Sequence, residues 1–256
     1  MINPRWNSSQ SDGIIWLDNV SVRYRIPRER FGTFKEYMIR RIQGRVKYED
    51  FWALRDVSLT INKGEVFGII GSNGAGKSTL LKLVARVLYP SDGRVRVLGN
   101  VAPLLELGAG FHPELSGREN IFLNGALLGF TRKQMEDKFD RIVDFSELAA
   151  FIDSPLRTYS SGMWARLGFA VATDERPDIL IVDEVLGVGD EAFQQKCYTR
   201  IQNYCVNGTS ILMVSHSASL IEKMCQRVAW LDHGILQAIG PAVEVVQKYH
   251  QFQSII

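Results

Sequence analysis

The sequence lacks several features that would place it in a specialised class of protein. It has only 3 cysteines in 256 residues. Cys197, Cys205 and Cys225 are odd in number and fit no metal-binding spacing. We therefore interpret them as reduced thiols of a cytosolic protein. The formal net charge is +2, so overall charge gives no reason to expect nucleic acid as a partner.

Targeting and membrane-spanning segments are also missing from the sequence. No apolar run approaches the roughly 20 residues of a transmembrane helix, and the longest candidate, 121–130, is interrupted by Asn124 and glycines. Residues 1–13 are polar, lack the apolar core of a signal peptide and are expected to form a flexible tail. A protein of this composition would work at a membrane only through a partner.

The most informative stretch present matches the phosphate-binding loop pattern G-x-x-x-x-G-K-[ST]. Apolar residues 66–70 predict a strand before it, and residues 80–88 predict a helix after it, as the motif requires. The glycines allow backbone N–H groups to surround a phosphate, and the helix N-terminus adds partial positive charge. The predicted nucleotide-binding residues are Gly71, Ser72, Asn73, Gly74, Ala75, Gly76, Lys77, Ser78 and Thr79. Lys77 is expected to reach the β- and γ-phosphates, and Ser78 to hold Mg²⁺.

Two carboxylates follow a second apolar stretch, residues 179–182. We predict that Asp183 holds Mg²⁺ through water and that Glu184 polarises the water that attacks the terminal phosphate. His216 follows the apolar stretch 210–215. A lone histidine is usually structural, but the carboxyl end of a neighbouring strand would aim His216 at the same site.

The N-terminal region has two features that allow more than one interpretation. Residues 14–22 predict a strand closed by Tyr24, which is either an adenine-stacking residue or an ordinary edge aromatic. Residues 25–50 are rich in basic side chains and predict a short amphipathic helix. That helix either docks on a membrane surface or partner, or packs on its own domain. Its apolar positions are Phe31, Phe34, Met38 and Ile42.

The order of these motifs resembles that of the ATP-binding cassette ATPases over residues 14–240. Ser160, Ser161 and Gly162 stand where that family has its Leu-Ser-Gly-Gly-Gln signature, although Tyr159, Ser161 and Met163 depart from it. The resemblance implies that Asp183 binds the metal and that Glu184 is the general base. It places Gly189-Asp190 in the loop that crosses the dimer interface. His216 would be the switch histidine, and Tyr24 would stack on the adenine. Glu106 stands where the family has a glutamine, and we assign it to Mg²⁺ or water.

The resemblance implies a fold and a mechanism. The fold is α/β, a phosphate-loop NTPase core whose mixed sheet has helices on both faces. It would also have an N-terminal antiparallel β portion, a helical insert at about 108–165 and a C-terminal helix at 241–256. Two cassettes would meet head to tail as a homodimer and enclose two ATP molecules with Mg²⁺. Each ATP would lie between one phosphate loop and the partner's signature, and hydrolysis would reopen the pair.

Residues 105–120 and the Tyr-Ser-Ser-Gly-Met variant of the signature resemble one branch of the family. It contains the ATPases of bacterial polysaccharide exporters, for O-antigen, capsular polysaccharide and teichoic acid. The resemblance implies peripheral binding to an integral membrane channel at the cytoplasmic face of the inner membrane, and transport of a lipid-linked glycan. Residues 25–50 would then lie near the membrane. An extra sugar-binding domain, present in some members, is not expected in a chain that ends at Ile256.

Three other functions remain open at this point. A soluble cassette acting on ribosomes or DNA would usually carry two cassettes or a long coiled coil, and neither is present. A phosphate-loop kinase or GTPase would not need residues 160–162 or His216. A transporter ATPase for another cargo, such as a lipid or drug, would share every motif named above, because the membrane subunit selects the cargo.

Overall fold

A computed structural model describes residues 12–27, 38, 43, 48–104, 107–183, 189–215 and 217–254. The strands are β1 (Gly13–Pro27), β2 (Tyr48–Asn62), β3 (Val66–Ile70), β4 (Asp92–Val97), β5 (Val101–Pro103), β6 (Ile179–Asp183), β7 (Ser210–Val214), β8 (Arg227–Asp232) and β9 (Ile235–Pro241). The helices are α1 (Lys77–Val84), α2 (Gly117–Leu127), α3 (Arg132–Ser146), α4 (Ser161–Ala172), α5 (Glu191–Val206), α6 (Ala218–Met224) and α7 (Ala242–Gln253).

The central sheet has six strands in the order β5-β6-β7-β3-β8-β9. Neighbouring strands from β5 to β8 are parallel, and β9 pairs antiparallel with β8. The apolar runs of β3 and β7 are buried at every position, as expected for central parallel strands covered on both faces. The carboxyl ends of β3, β6 and β7 therefore meet at one edge of the sheet, where ligands bind in open α/β folds.

A second, antiparallel sheet has the order β2-β1-β4. The prediction that Tyr24 closes the first strand is wrong, because β1 continues to Pro27 in a ladder that pairs Tyr24 with Phe51 and Pro27 with Tyr48. The ends of the basic segment 25–50 are consequently strand. Within that segment Met38 has helical backbone. The other predicted apolar positions, Phe31, Phe34 and Ile42, lie outside the described residues.

The core divides into two clusters on opposite faces of the central sheet. Phe67 and Ile69 of β3 pack with α1 and the antiparallel sheet. Val66 and Ile70, which point the other way, share a cluster with residues of α2 to α7. This alternation follows from the two-residue period of a strand. The predicted helical insert shares the second cluster with the sheet, so its helices are not packed as a separate core.

Local sequence sets some helix ends and tertiary packing sets others. In the insert, Thr131 caps α3, and its side chain accepts the Gln134 N–H in a capping box. Helix α1 begins at Lys77 and ends at Val84, earlier at both ends than the predicted residues 80–88. Helix α7 lies within the predicted C-terminal helix 241–256 and spans Ala242–Gln253, and its Tyr249 and Phe252 rings pack on Trp230.

Candidate functional site

The phosphate loop lies between β3 and α1. Gly76 is the N-cap of the helix, with φ 103°, and has no side chain that could accept a hydrogen bond from the first turn. Within the loop the Ala75 N–H donates to the Ser72 carbonyl at 3.1 Å. The N-terminal N–H groups of α1 thus have no side-chain cap and carry the positive end of the helix dipole. This is an anion-binding arrangement built from backbone.

Close packing requires glycine at two positions of this loop. At Gly71, a side-chain Cβ would collide with the Leu231 carbonyl oxygen. At Gly76, it would lie 2.5 Å from the Ala53 oxygen and 2.8 Å from a methyl of Leu54. Because Ala53 and Leu54 belong to β2, the antiparallel sheet packs directly against the phosphate loop.

We expect Gly76→Ala to damage the loop far more than its backbone strain alone would. A left-handed alanine costs about 1–2 kcal/mol, and the backbone clash with Ala53 adds to that cost. The matched control is Gly208→Ala, since Gly208 has φ +85° but no atom of the described residues within 4 Å of an added Cβ. Thermal unfolding and fluorescent-nucleotide titration should show at least tenfold weaker binding for Gly76→Ala and unchanged binding for Gly208→Ala. Equal nucleotide affinity and equal unfolding temperature of the two variants would contradict the close packing of Gly76 against Ala53.

Lys77 points back into the loop that precedes it. Its Nζ donates to the carbonyl oxygens of Gly71 at 2.7 Å and Ser72 at 2.9 Å. Burial lowers the pKa of Lys77, and the negative charge of Asp183 acts in the opposite direction. Lys77 is therefore a desolvated donor held beside the helix N-terminus, and its present acceptors are neutral carbonyls that a phosphate can replace.

Asp183 lies at the end of β6, two strands away from β3. The register places Asp183 beside Val214 and Val214 beside Ile69. Two strand spacings are about 10 Å, close enough for the negative charge of Asp183 to oppose the lowering of the Lys77 pKa by burial. The structure thus brings the predicted metal-binding carboxylate to the phosphate loop.

Magnesium donors were predicted at Ser78, Asp183 and Glu106. Ser78 is exposed in the first turn of α1, and its hydroxyl and the Asp183 carboxylate are oxygen donors of the kind Mg²⁺ uses together with substrate phosphates. No group of three or more His, Cys, Asp or Glu side chains that could hold a metal occurs among the described residues. Ser78 and Asp183 fit a magnesium ion that takes its remaining ligands from phosphates and water.

Tyr24 and Phe51 face each other across the β1–β2 ladder. They lie just beyond Val22 and Leu54, the last buried pair of the two strands, and their side chains are 40% and 52% exposed. Tyr24 continues the face of β1 that carries Val22. The Ala53 oxygen, two residues from Phe51, lies close to Gly76 of the phosphate loop, so Tyr24 and Phe51 lie on the pair of strands that reaches this loop. Phe51 was not identified from sequence, because only the register shows which residue opposes Tyr24.

The signature residues lie in a separate place, at the start of α4. Ser160 caps this helix, and its hydroxyl accepts the Met163 N–H at 3.2 Å. Gly162 is open, since the Ser160 hydroxyl is the one atom of the described residues within 4 Å of an added Cβ. An open depression is lined by Ser160, Ser161, Gly162, Met163, Ala165, Arg166, Gly189 and Asp190. The structure therefore brings Asp190 to the signature residues, and no residue of the phosphate loop is among the described residues that line this depression.

Three predicted catalytic or metal-binding residues lie outside the described residues: Glu106, Glu184 and His216. Their neighbours in sequence, Asp183 and Ser215, are at the carboxyl ends of β6 and β7. The assignments of these three residues remain predictions.

Among the described residues, no helix combines the length and the apolar character that a membrane crossing needs.

Comparisons with known proteins identify the family of the chain. The sequence profile of the ABC transporter family matches residues 54–187. The chain is 52% identical over 206 residues to the O-antigen export system ATP-binding protein RfbB of Klebsiella pneumoniae, covering 80% of this chain and 84% of that protein. It is 45% identical over 204 residues to the teichoic acids export ATP-binding protein TagH of Lactococcus lactis, covering 80% of this chain and 44% of that protein.

Solved structures with the same fold include a dimeric ATP-binding cassette bound to ADP and Pi, with TM-score 0.68, 20% identity and coverage of 89% of this chain and 98% of that chain. The ATP-binding subunit of an ABC transporter has TM-score 0.71 and 20% identity, with 93% of each chain covered. At this identity the structures show the fold alone. Together with the profile and the sequence relatives, they show that the chain belongs to the ABC transporter family and is one of its ATP-hydrolysing cassettes.

Proposed function

We propose that this chain is the ATPase subunit that powers export of a lipid-linked polysaccharide of the O-antigen class through a separate membrane channel. The observation that carries the proposal is the 52% identity to a protein named for O-antigen export, over 84% of that protein's length. A second O-antigen export relative, from Myxococcus xanthus, is 46% identical over 94% of this chain and 56% of its own length. The teichoic acid export relatives are less similar to this chain. Teichoic acid and capsular polysaccharide are therefore our second choice for the transported cargo.

The proposed working unit is a homodimer that encloses two ATP molecules. In each half-site the phosphate loop and Lys77 bind the phosphates, and Tyr24 stacks on the adenine. Ser160 and Gly162 of the second copy contact the terminal phosphate, and Asp190 lies at the interface. This arrangement is supported by the lining of the signature depression, which includes no phosphate-loop residue among the described ones, so a second copy would supply the signature to each phosphate loop.

For hydrolysis, Glu184 is proposed to take a proton from the attacking water, and His216 to contact the terminal phosphate. Mg²⁺, held by Ser78 and Asp183 with Glu106 nearby, would neutralise phosphate charge when bound. Only the closed dimer makes all these contacts, so ATP binding favours closure and loss of the terminal phosphate favours opening.

A cleft of about 810 Å³ is the proposed docking surface for the membrane channel. It lies between the end of α1, strand β5 and the insert helices α2 and α3. Leu127 and Leu128 line it and are 66% and 56% exposed. Adjacent exposed leucines are unusual on a free surface and are typical of an interface. A cytoplasmic segment of the channel is the occupant that fits the proposed function, at the inner face of the bacterial membrane.

The test is a mild detergent pull-down of the tagged chain from its native membranes, with identification of bound protein and lipid. We expect a multi-helix channel with a lipid-linked glycan, and the glycan identifies the cargo. Leu127→Glu together with Leu128→Glu should lose the channel. Val206→Glu is the matched control, because Val206 is 87% exposed at the end of α5 and does not line the cleft.

Other results of the pull-down would each overturn part of the proposal. A channel with a different cargo would remove the polysaccharide assignment and keep the transport ATPase. Ribosomes or DNA without a membrane protein would replace transport by a soluble cassette function. Channel recovery that survives both leucine changes would place the docking surface elsewhere.

A further inference from the structure

A polar pocket lies between the ends of α3 and α4 and the second half of α5. Its volume is about 480 Å³, within the range of small-molecule sites. Thr173 in its wall stands 13 residues after Ser160 along α4, a rise of about 20 Å. This α5 pocket is therefore distinct from the signature depression, and none of its described lining residues belongs to the phosphate loop. It is lined by Phe145, Thr173, Asp174, Gln195, Lys196, Thr199, Arg200, Asn203 and Tyr204.

Arg200 is a half-buried cation in the wall of the α5 pocket. Its guanidinium lies over the Phe145 ring, with Cζ 3.4 Å from the centroid. One terminal nitrogen donates to the Thr173 carbonyl at 3.0 Å and to the Thr173 hydroxyl at 3.2 Å. The other two nitrogens of Arg200 make no hydrogen bond with any described residue. Burial lowers the pKa of Arg200, so the guanidinium has lost water contacts that the protein only partly replaces.

Asp174, the carboxylate among the described lining residues, does not neutralise Arg200. Its Oδ1 accepts from Arg141 at 2.5 Å, and its Oδ2 accepts from Arg141 at 2.8 Å and from Lys138 at 3.1 Å. Across the described part of the chain, no carboxylate forms an ion pair with Arg200. Arg200 thus brings an uncompensated positive charge and two nitrogens with unused donors to the pocket wall.

Lys196 adds a second cation one helical turn before Arg200, on the same face of α5. Its Nζ lies 4.9 Å from the centroid of the Phe145 ring that Arg200 covers. It donates to the Phe145 carbonyl at 3.1 Å and to Glu147 Oε1 at 2.9 Å. Because Glu147 shares the charge of Lys196, Arg200 is the stronger anion-binding group and Lys196 the auxiliary one. Two cations four residues apart suit a phosphate, which has two charges and three oxygens to offer.

The exposed rim of the α5 pocket is polar and uncharged. Gln195, Thr199 and Asn203 follow one another at intervals of four residues along α5, and all three are exposed. Amide and hydroxyl groups both donate and accept hydrogen bonds, so this row suits a ligand that carries hydroxyl groups. A phosphate alone fills only part of the volume, which leaves room for such a body beside the rim.

We propose that the α5 pocket binds a small phosphate ester with a hydroxyl-bearing body, of the sugar phosphate class. The unused nitrogens of Arg200 form the planar fork that matches two phosphate oxygens, and Lys196 contacts the third. Gln195, Thr199 and Asn203 bind the hydroxyl groups. The site is additional to the nucleotide site, and both can be occupied at once.

The test titrates glucose 1-phosphate calorimetrically into the full chain, with ADP and Mg²⁺ in excess so that the phosphate loop is filled. We expect saturable binding, and no measurable binding of glucose, which has no phosphate. Arg200→Gln should weaken binding by about tenfold or more, because it removes charge-assisted contacts. Arg118→Gln is the matched control and should bind as the wild type. Arg118 also lies over a ring, 4.4 Å from the Phe139 centroid, but it pairs with Asp153 and does not line the α5 pocket.

A second pair of variants keeps the test decisive if Arg200→Gln fails to fold. Thr199 is exposed, and its hydroxyl donates only to the Gln195 carbonyl of its own helix, so substitutions there should leave the unfolding temperature unchanged. Thr199→Glu places a negative charge at the rim and should weaken binding about tenfold, whereas the uncharged Thr199→Gln should stay within about threefold of the wild type.

Three results would overturn the inference: no saturable binding of glucose 1-phosphate to the wild type, equal affinity in Thr199→Glu and Thr199→Gln, or unchanged affinity in a folded Arg200→Gln protein. Inorganic phosphate that binds as tightly as glucose 1-phosphate would overturn the assignment of the rim to the hydroxyl-bearing body.

Discussion

Replacing Lys77 with methionine is expected to lower ATP hydrolysis at least 100-fold. Methionine has similar length but cannot donate to the β- and γ-phosphates, and each charge-assisted hydrogen bond contributes about 1.5–3 kcal/mol. Lys77 is also buried beside Gly71 and Ser72, so no water shell compensates for the missing charge. Phosphate release measured at saturating ATP, together with ATP titration, gives the change in kcat and in affinity.

Lys82→Met is the matched control for Lys77→Met. Lys82 lies on the same helix, α1, but is exposed and donates to no phosphate-loop carbonyl among the hydrogen bonds of the described residues. Its hydrolysis rate should stay within twofold of the wild type. Lys77→Met also removes two hydrogen bonds inside the loop, so its unfolding temperature is measured without ATP. Hydrolysis above one tenth of the wild-type rate in a folded Lys77→Met protein would refute the assigned role.

The strands and the phosphate loop at the centre of the sheet were predictable, because each is marked by a pattern of neighbouring residues in the sequence. Strand β3 was predicted at residues 66–70 and has those bounds. The apolar run before Asp183 and the glycine pattern after β3 also placed the phosphate loop and the carboxylate at one sheet edge. Each of these depends on a period or a spacing within a few residues, which a sequence displays directly.

The predictions that failed involve partners distant in sequence. Tyr24 was expected to end a strand, but pairing with Phe51 extends β1 to Pro27. Helix α1 was expected from residue 80, because the polar residues Lys77 to Thr79 carry no apolar period. Its actual start is at the Gly76 cap, where a side chain would collide with Ala53 of another sheet.

At the candidate site, Arg166 on α4 donates hydrogen bonds to Glu147 and Asp190, and these contacts were not predictable from the sequence either. Its two carboxylates lie 19 and 24 residues away in sequence, and neither is at a helical spacing from it. Asp190 was predicted from family resemblance as an interface residue, yet its ion pair with α4 follows only from tertiary packing. The residues that contact a nucleotide are thus visible in the motifs, whereas those that hold them in position require the structure.

Replacing Glu184 with glutamine is expected to stop hydrolysis while leaving ATP binding intact. Glutamine has nearly the same shape and still accepts a hydrogen bond from water, but it does not take a proton near neutral pH. General-base catalysis contributes about 10²–10⁴-fold, so phosphate release should fall by at least 100-fold. Since the closed dimer reopens only after the terminal phosphate is lost, Glu184→Gln should also accumulate as a dimer in ATP and Mg²⁺.

Light scattering after size-exclusion chromatography, with and without ATP, measures this dimer, and a phosphate assay measures the rate. Glu136→Gln on the exposed side of α3 controls for loss of a carboxylate and should behave as the wild type. His216→Ala tests whether the base is Glu184 alone: with Glu184 as the base, this variant loses terminal-phosphate contact and the ATP dimer weakens. A Glu184→Gln protein that hydrolyses at the wild-type rate, beside an inactive His216→Ala protein, would transfer the role of base to His216.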